Sequence, residues 1–519
     1  MTRTRQDVWK LGEGWSDPLI WYARGVRALQ ARPIADRTSW RFLGAMHGID
    51  TQLWTAFGYL AAGEALPPPS DRNTFWQQCQ HQSWYFLPWH RGYVAAFEAI
   101  IRAAIAPLGG PADWALPYWN YNDTAPANAG RIPPAFQEAR LPDGTPNPLR
   151  VDRRYGEDGQ GNVQLTPQDI DLRALLQPRF AGANAGGSPG FGGPKTIFSH
   201  QGSTSGRLEN QPHNIVHSIV GGQDPNDPNT LGLMGDPDTA ALDPIFWIHH
   251  SNIDRLWEVW LKRANANANP TDAAWLTGPA TRGFVVPSPN GEAVPYAAKD
   301  MLDTTAPKLD YVYEDVSDPL GGTDRLAVRM AALAARHGIA VPPTAAVEAS
   351  VGQQQPAELI GANAAAVRVG GAPVETQVRL DRRGMDKVRQ SLQPQNAFAA
   401  GAPKEPDRVF LNLENIKGAN DAAVFHVYVN LPPGADPAGH PEYLAGTVSL
   451  FGVKKASRED DPHGGNGITE ALDITHIVDA LHLNNQALDH LNVRFVPRTR
   501  IRPEDKISVG RVSVYRQGP

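Results

Sequence analysis

An imidazole set in the middle of an aromatic helix face constrains this chain more than any other feature. The stretch Asp243-Pro244-Ile245-Phe246-Trp247-Ile248-His249-His250-Ser251-Asn252-Ile253-Asp254-Arg255-Leu256-Trp257-Glu258-Val259-Trp260 reads as one helix. Asp243 can cap its start, and Pro244 suits the first helical position, where no backbone N–H is needed. Phe246, His250, Ile253, Trp257 and Trp260 recur at i, i+4, i+7, i+11 and i+14, one face of a helix. Burying an imidazole there is costly unless something binds it. A lone histidine of this kind reads most simply as a core residue with one hydrogen bond. This one has company.

Ser39 caps a predicted helix from Trp40 to Trp54, on which Leu43, His47, Asp50 and Trp54 share a face. His81 precedes Pro88, which interrupts helical continuity. His90 opens a second helix running to about Ile105, with Val94, Phe97 and Ile101 on its face. His213 and His217 are at i, i+4 on a short helix that Pro212 can start and Gly221-Gly222 can end. The chain therefore offers two sets of three imidazoles: His47, His81, His90 and His213, His217, His250. Imidazole suits copper, zinc and iron, and three per ion leave positions open for a ligand. Neither set has the neighbouring Glu of a zincin, and the Glu-x-x-His pattern of di-iron carboxylate sites is absent. Two all-imidazole sets favour a redox-active metal pair. The competing reading is six unrelated core histidines.

The chain has 519 residues, enough for two or three domains. Residues 124–206 read as long loops, 323–337 as an amphipathic helix, and 338–375, rich in Ala, Gly, Pro and Gln, as a linker or irregular wrap. Period-2 stretches follow at Val378–Leu380, Val409–Leu413, Ala423–Val429, Leu444–Phe451, Leu491–Val496 and Ile507–Tyr515, while Ile468–Leu483 is ambiguous and has room for a helix. The expected fold class is α+β: a mainly helical domain over 1–315, a helix plus linker over 316–375, and a β-sandwich over 376–519. A formal charge of −6 gives no reason to expect nucleic acid as a partner, and no run of about 18 apolar residues points to a membrane span. Basic residues at Met1–Lys10 have no apolar segment behind them, and Cys79 is the single cysteine. Both suit the cytoplasm as the sequence stands; export would require a leader already removed. Homo-oligomerisation is compatible with the sequence.

The histidine stretches also resemble a known family. His81, eight residues, then His90-Arg91 with Pro88-Trp89 before them; His213-Asn214-Ile215-Val216-His217; and Asp243-Pro244 through His249-His250 to Asp254-Arg255-Leu256-Trp257 are similar, in this order, to the type-3 copper proteins. These are the tyrosinases, catechol oxidases and molluscan-type haemocyanins. The resemblance spans roughly residues 40–315, and Tyr311-Val312-Tyr313 resembles the Tyr-x-Tyr element that closes the catalytic domain in plant and fungal members. It implies a four-helix bundle holding two copper ions, one on His47, His81 and His90, the other on His213, His217 and His250, with O2 as co-substrate. It also implies that His250, not His249, is the ligand of that pair. Cys79, two residues before His81, stands where fungal relatives form a thioether to the histidine ring. The alternative is a buried free thiol.

The function implied is that of a tyrosinase: ortho-hydroxylation of small monophenols and oxidation of o-diphenols to o-quinones, the chemistry of melanin-type quinone formation. Glu209 resembles the plant glutamate that holds a water near the coppers, and Asn214 the asparagine that helps polarise it; on that basis they are the candidate catalytic residues. Phe246 is expected to pack on ligand rings. Asp254 either accepts from a ligand imidazole Nδ1–H or pairs with Arg91 or Arg255. Pro237 falls near the position of the bulky gate of plant members, which suggests a more open mouth. The strand-rich tail resembles a lid. A catechol oxidase, and less so a haemocyanin-like O2 carrier, are the alternatives.

Overall fold

The computed structural model describes residues 2–518 apart from 13, 124–127, 199–202, 228, 264–266, 323, 340–354, 399–404, 461–463 and 484–487. By its contacts the chain forms two compact units, Met1–Ile170 with Thr196–Ser199 and Pro212–Pro319, and Asp171–Lys195 with His200–Gln211 and Leu320–Pro519. By contacts, 171–195 and 200–211, which lie within the span expected to be the helical domain, group with the second unit.

The first unit is helical. Its principal elements are α1 (Asp17–Gln30), α2 (Trp40–His47), α3 (Thr51–Ala56), α4 (Phe86–Ile105), α5 (Ile215–Gly221) and α6 (Pro244–Lys262). The predicted helix from Trp40 to Trp54 is two helices. Ser39 caps α2 as expected, but the chain is extended at Gly48, and the Asp50 side chain caps α3 by accepting from the Gln52 and Leu53 amides. A side chain at Gly48 has no room, because a Cβ there would lie 2.7 Å from the Pro237 carbonyl oxygen. Asp50 therefore leaves the His47 face and becomes a cap. Pro88 sits inside the first turn of α4, where its missing N–H costs nothing, so α4 starts at Phe86.

Helix α6 begins as its sequence dictates: Asp243 Oδ1 accepts from the Ile245 amide at 3.0 Å, while the buried Arg154 pairs with the same carboxylate. Its aromatic face is dry. Trp247 stacks on Phe97 of α4 at 3.7 Å, and Phe246, Trp257 and Trp260 are fully buried. Each large side chain buried this way contributes roughly 1.5–3 kcal/mol. A short parallel pair, β1 (Arg3–Arg5) with β2 (Tyr311–Tyr313), joins the two ends of the unit and sets Arg5 beside Tyr313.

The second unit carries one nine-stranded sheet: β3 (Glu358–Ala362), β4 (Val367–Arg368), β5 (Val374–Leu380), β6 (Arg408–Lys417), β7 (Val424–Val429), β8 (Leu444–Ser449), β9 (Ile468–Asp473), β10 (His490–Pro497) and β11 (Ser508–Gln517). The order is β8-β7-β10-β5-β3-β11-β6-β9, with β4 paired to β11, and all pairs are antiparallel. The expected sandwich takes the form of a single, nearly closed sheet wrapped around a core that includes Val409, Leu411, Leu413, Phe425, Leu472, Phe495 and Val512. Strands β3 and β4 lie in the stretch read as linker, whose Gly- and Ala-rich composition hides their alternation. The ambiguous region splits into β9 and the helix Thr475–Leu483, and the expected helix near 323–337 runs from Arg325 to His337.

Candidate metal centre

Six histidines reach one place from separate elements. His47 ends α2, His90 lies on α4, His217 on α5 and His250 on α6; His81 comes from the loop before α4, and His213 from an irregular turn before α5. That turn spans Glu209–Asn214, and at Gln211 (φ −145°, ψ 122°) the backbone leaves the helical region. The residue before a proline is pushed toward extended geometry, so helical winding restarts at Pro212 and sets His213 one turn ahead of His217.

The rings form two triangles. In the first, His47–His81, His47–His90 and His81–His90 have centroids 5.5, 5.9 and 5.6 Å apart. In the second, His213–His217, His213–His250 and His217–His250 are at 4.5, 4.9 and 5.6 Å. The triangles face each other: His90 stacks on His250 at 4.3 Å, and His81 lies 5.6 Å from His213. All six are buried except His81, which is half-buried.

Nδ1 of His47 donates to the Pro237 carbonyl at 2.9 Å, that of His90 to Phe86 at 2.8 Å, and that of His217 to Met234 at 2.9 Å. His213 Nδ1 makes the same kind of bond to Asn214 Oδ1 at 2.8 Å. Each bond fixes the proton on Nδ1 and leaves Nε2 with its lone pair, the state a metal ligand requires. Nε2 of His217 and Nε2 of His250 stand 3.5 Å apart. Nε2 of His217 keeps its lone pair there, and the imidazoles of each set offer nitrogen atoms within 4.8 Å of one another, so the donor set fits a metal ion in each triangle.

Burial, then the neighbouring imidazoles, hold His90, His213, His217 and His250 well below the usual histidine range. The rings are therefore neutral at pH 7. Their folded pKa values are depressed, so without metal the stability they allow is complete above about pH 6.5, where unfolded histidine is also neutral, and is lost as pH falls below it. Each such group steepens that loss by up to ~1.4 kcal/mol per pH unit. Thermal melts of the metal-free protein should fall steeply between pH 7 and pH 5. A flat profile there would mean that the cluster is open to water.

His249 departs from the expected separation of the pair. It is fully buried with no hydrogen-bond partner among the described residues, and burial pushes its pKa down to about 3. It also falls within the second donor group, 5.4 Å from His213 and 5.1 Å from His217 by ring centroids. Only His250, however, directs Nε2 at another ligand nitrogen.

Aromatic rings wall the site. Phe246 lies 5.0 Å from His47 and 4.2 Å from His250, in the place expected for it. Phe86 does the same for His90 at 4.6 Å and His213 at 4.8 Å, and Trp89 lies 4.7 Å from His90. Sequence reasoning missed Phe86, although it precedes His90 by four residues just as Phe246 precedes His250. Cys79 is buried, with Sγ 3.4 Å from His90 Nε2.

Asp254 does not bind a ligand imidazole. Nδ1 of His250 has no partner among the described residues, and Asp254 is instead the centre of a buried network. It accepts from Arg91 Nε at 2.5 Å, Arg5 Nη1 at 3.3 Å, Tyr311 Oη at 2.5 Å and Tyr313 Oη at 2.6 Å. Burial opposes its charge, but Arg91, Arg5 and the two hydroxyls outweigh that and hold the carboxyl below the usual range. Arg91 also donates to Glu258 and to the Met301 carbonyl. The network ties α4, α6 and the Tyr-x-Tyr strand together behind the ligands.

Comparison with known proteins agrees with this geometry. A family model described as the common central domain of tyrosinase matches residues 37–263, and one for a domain of unknown function matches 356–517. Tyrosinase HcTyr1 of Hahella sp. (strain CCB-MM4) is 34% identical over 527 residues, covering 99% of each chain. The chain belongs to the tyrosinase family. A chloroplastic polyphenol oxidase of Malus domestica is 28% identical over 76% of this chain and 62% of its own. The family fold extends across both units: latent apple tyrosinase superposes with a TM-score of 0.58 at 21% identity, covering 100% of this chain and 97% of that one, and a recombinant latent aurone synthase with 0.60. As a family member with two histidine clusters, the protein is a copper-binding polyphenol-oxidising enzyme. No described helix is long and apolar enough to cross a membrane.

Glu209 and Asn214 are the first and last residues of the irregular turn that carries His213. Asn214 orients His213, whereas Glu209 belongs to the C-terminal unit, where it is buried and close to Glu470.

Proposed function

We propose that the protein carries out both family reactions, hydroxylating monophenols at the ortho position and oxidising o-diphenols to o-quinones, with one copper ion on each histidine triangle and O2 as co-substrate. The observation that supports this best is the pair of facing imidazole triangles, each offering ring nitrogens within 4.8 Å of one another. Copper, when bound, supplies O2 activation and the two-electron oxidation. The chain's own residues supply the rest. The carbonyls of Pro237, Phe86 and Met234 hold ligand rings in one tautomer. Phe86, Phe246 and Trp89 keep water away, which strengthens the electrostatic interactions inside the site.

The two reactions differ in their need for a base. A phenol, with a pKa of about 10, must lose its proton before its ring can be attacked, whereas a catechol has only to give up electrons with its protons. We assign that role to a water held by Glu209 and Asn214. General-base contributions run to about 10²–10⁴-fold. Glu209→Gln should therefore slow tyrosine hydroxylation by about 10²-fold and leave L-DOPA oxidation within a few-fold of wild type. Equal losses on both substrates would take Glu209 out of this role, and a wild-type enzyme that makes quinone from L-DOPA alone would be a catechol oxidase.

A further inference from the structure

Strand β9 lies at one end of the sheet path, and the segment from Ser203 to Glu209 is laid along its open edge. The Thr469 amide donates to the Ser203 carbonyl at 2.7 Å, Thr204 bridges to Thr469 in parallel register, and Arg207 Nη1 donates to the Ala471 carbonyl at 2.7 Å. On its other side the segment is held by the Arg207 and Leu208 amides, which donate to Gly190 and Phe191 at 3.0 and 3.2 Å. Against it lies Glu470, 1% exposed, whose carboxyl is approached by Ser205, Arg207 and Glu209 of the segment.

Glu470 shares the face of β9 that carries Ile468 and Leu472, both core residues, and its cross-strand neighbour on β6 is Leu413. The charged groups that face it are Glu209 and Arg207, both from the overlying segment. Arg207 is shared: Nη1 donates to the Ala471 carbonyl, and Arg173, Asp473 and Asp171 act on its charge as well as Glu470. Glu414, next along β6, is occupied by Ser513 and Tyr515. An anion at Glu470 would have an apolar floor and a second carboxylate above it.

We propose that Glu470 is the positioning residue for Glu209, a neutral buried carboxyl whose proton keeps the Ser203–Glu209 segment fastened to the sheet edge. Burial, reinforced by Glu209, pushes the Glu470 carboxyl up to about 8, against the favourable pull of Ser205 and Arg207. The fastened state keeps a proton that the released state gives up at ordinary carboxylate pH. Release therefore becomes easier as pH rises from about 5 to about 8, and levels off above that. The consequence for catalysis rests on the role of Glu209 proposed above.

Hydrogen exchange on the full-length, copper-loaded protein tests this, with rates at Arg207, Leu208 and Asn210 normalised to their intrinsic values. Between pH 5.5 and 7.5, protection in the wild type should fall by up to about tenfold per pH unit, the signature of one proton. In Glu470→Gln, which keeps shape and neutrality, it should be independent of pH. A wild type without that slope, or a Glu470→Gln variant that retains it, overturns the proposal. The monophenolase-to-diphenolase ratio should fall over the same pH range in the wild type and stay level in Glu470→Gln. An exchange slope with a constant ratio supports the fastening and counts against the role of Glu209 alone.

Discussion

Replacing His250 by alanine is expected to remove one copper per chain and to abolish quinone formation, while His249→Ala keeps both metals. The two residues are adjacent, equally buried and chemically identical, so composition and exposure cannot distinguish them. Direction can. Adjacent side chains on a helix diverge by about 100°, and of the pair only His250 brings Nε2 to 3.5 Å from His217 Nε2 and stacks on His90. His249 stacks between His213 and Tyr121. Metal analysis of the two variants after dialysis decides the matter. If His249→Ala loses copper as fully as His250→Ala, the second site uses four imidazoles.

Asp254→Ala should be among the most destabilising substitutions in the chain without touching a ligand. It would leave the guanidinium groups of Arg5 and Arg91, both fully buried, short of their shared anion. Removing one member of a buried ion pair costs about 3–5 kcal/mol, because the remaining charge is stranded. Glu98 and Glu258 still serve Arg5 and Arg91 and set the lower end of that range. The melting temperature should fall on the order of 10 °C. A shift of a degree or two would show that water reaches the network.

What was legible in the sequence follows physical lines. Asp243-Pro244 is a local start signal, and the helix begins there because the cap needs only its own next few residues. The six candidate ligands were legible because imidazoles recur on aromatic faces and in spaced pairs. The break at Gly48 was missed because its cause is distant: the Pro237 carbonyl occupies the space where a Cβ would go. The Asp254 network was legible only as a choice of partners, since Arg5 reaches it by pairing the first residues of the chain with Tyr311–Tyr313. Strands β3 and β4 were hidden in small residues, and the grouping of 171–195 and 200–211 with the second unit had no signal in periodicity. Glu470 left no mark either, because a glutamate in an alternating strand reads as solvent-facing until a segment covers it.

We propose that each of the two facing imidazole triangles holds a copper ion. Reconstituting the wild-type chain with copper, dialysing it and measuring metal against protein tests this directly. Two coppers per chain are expected; a ratio of one or below, or an equal preference for zinc, would overturn the assignment.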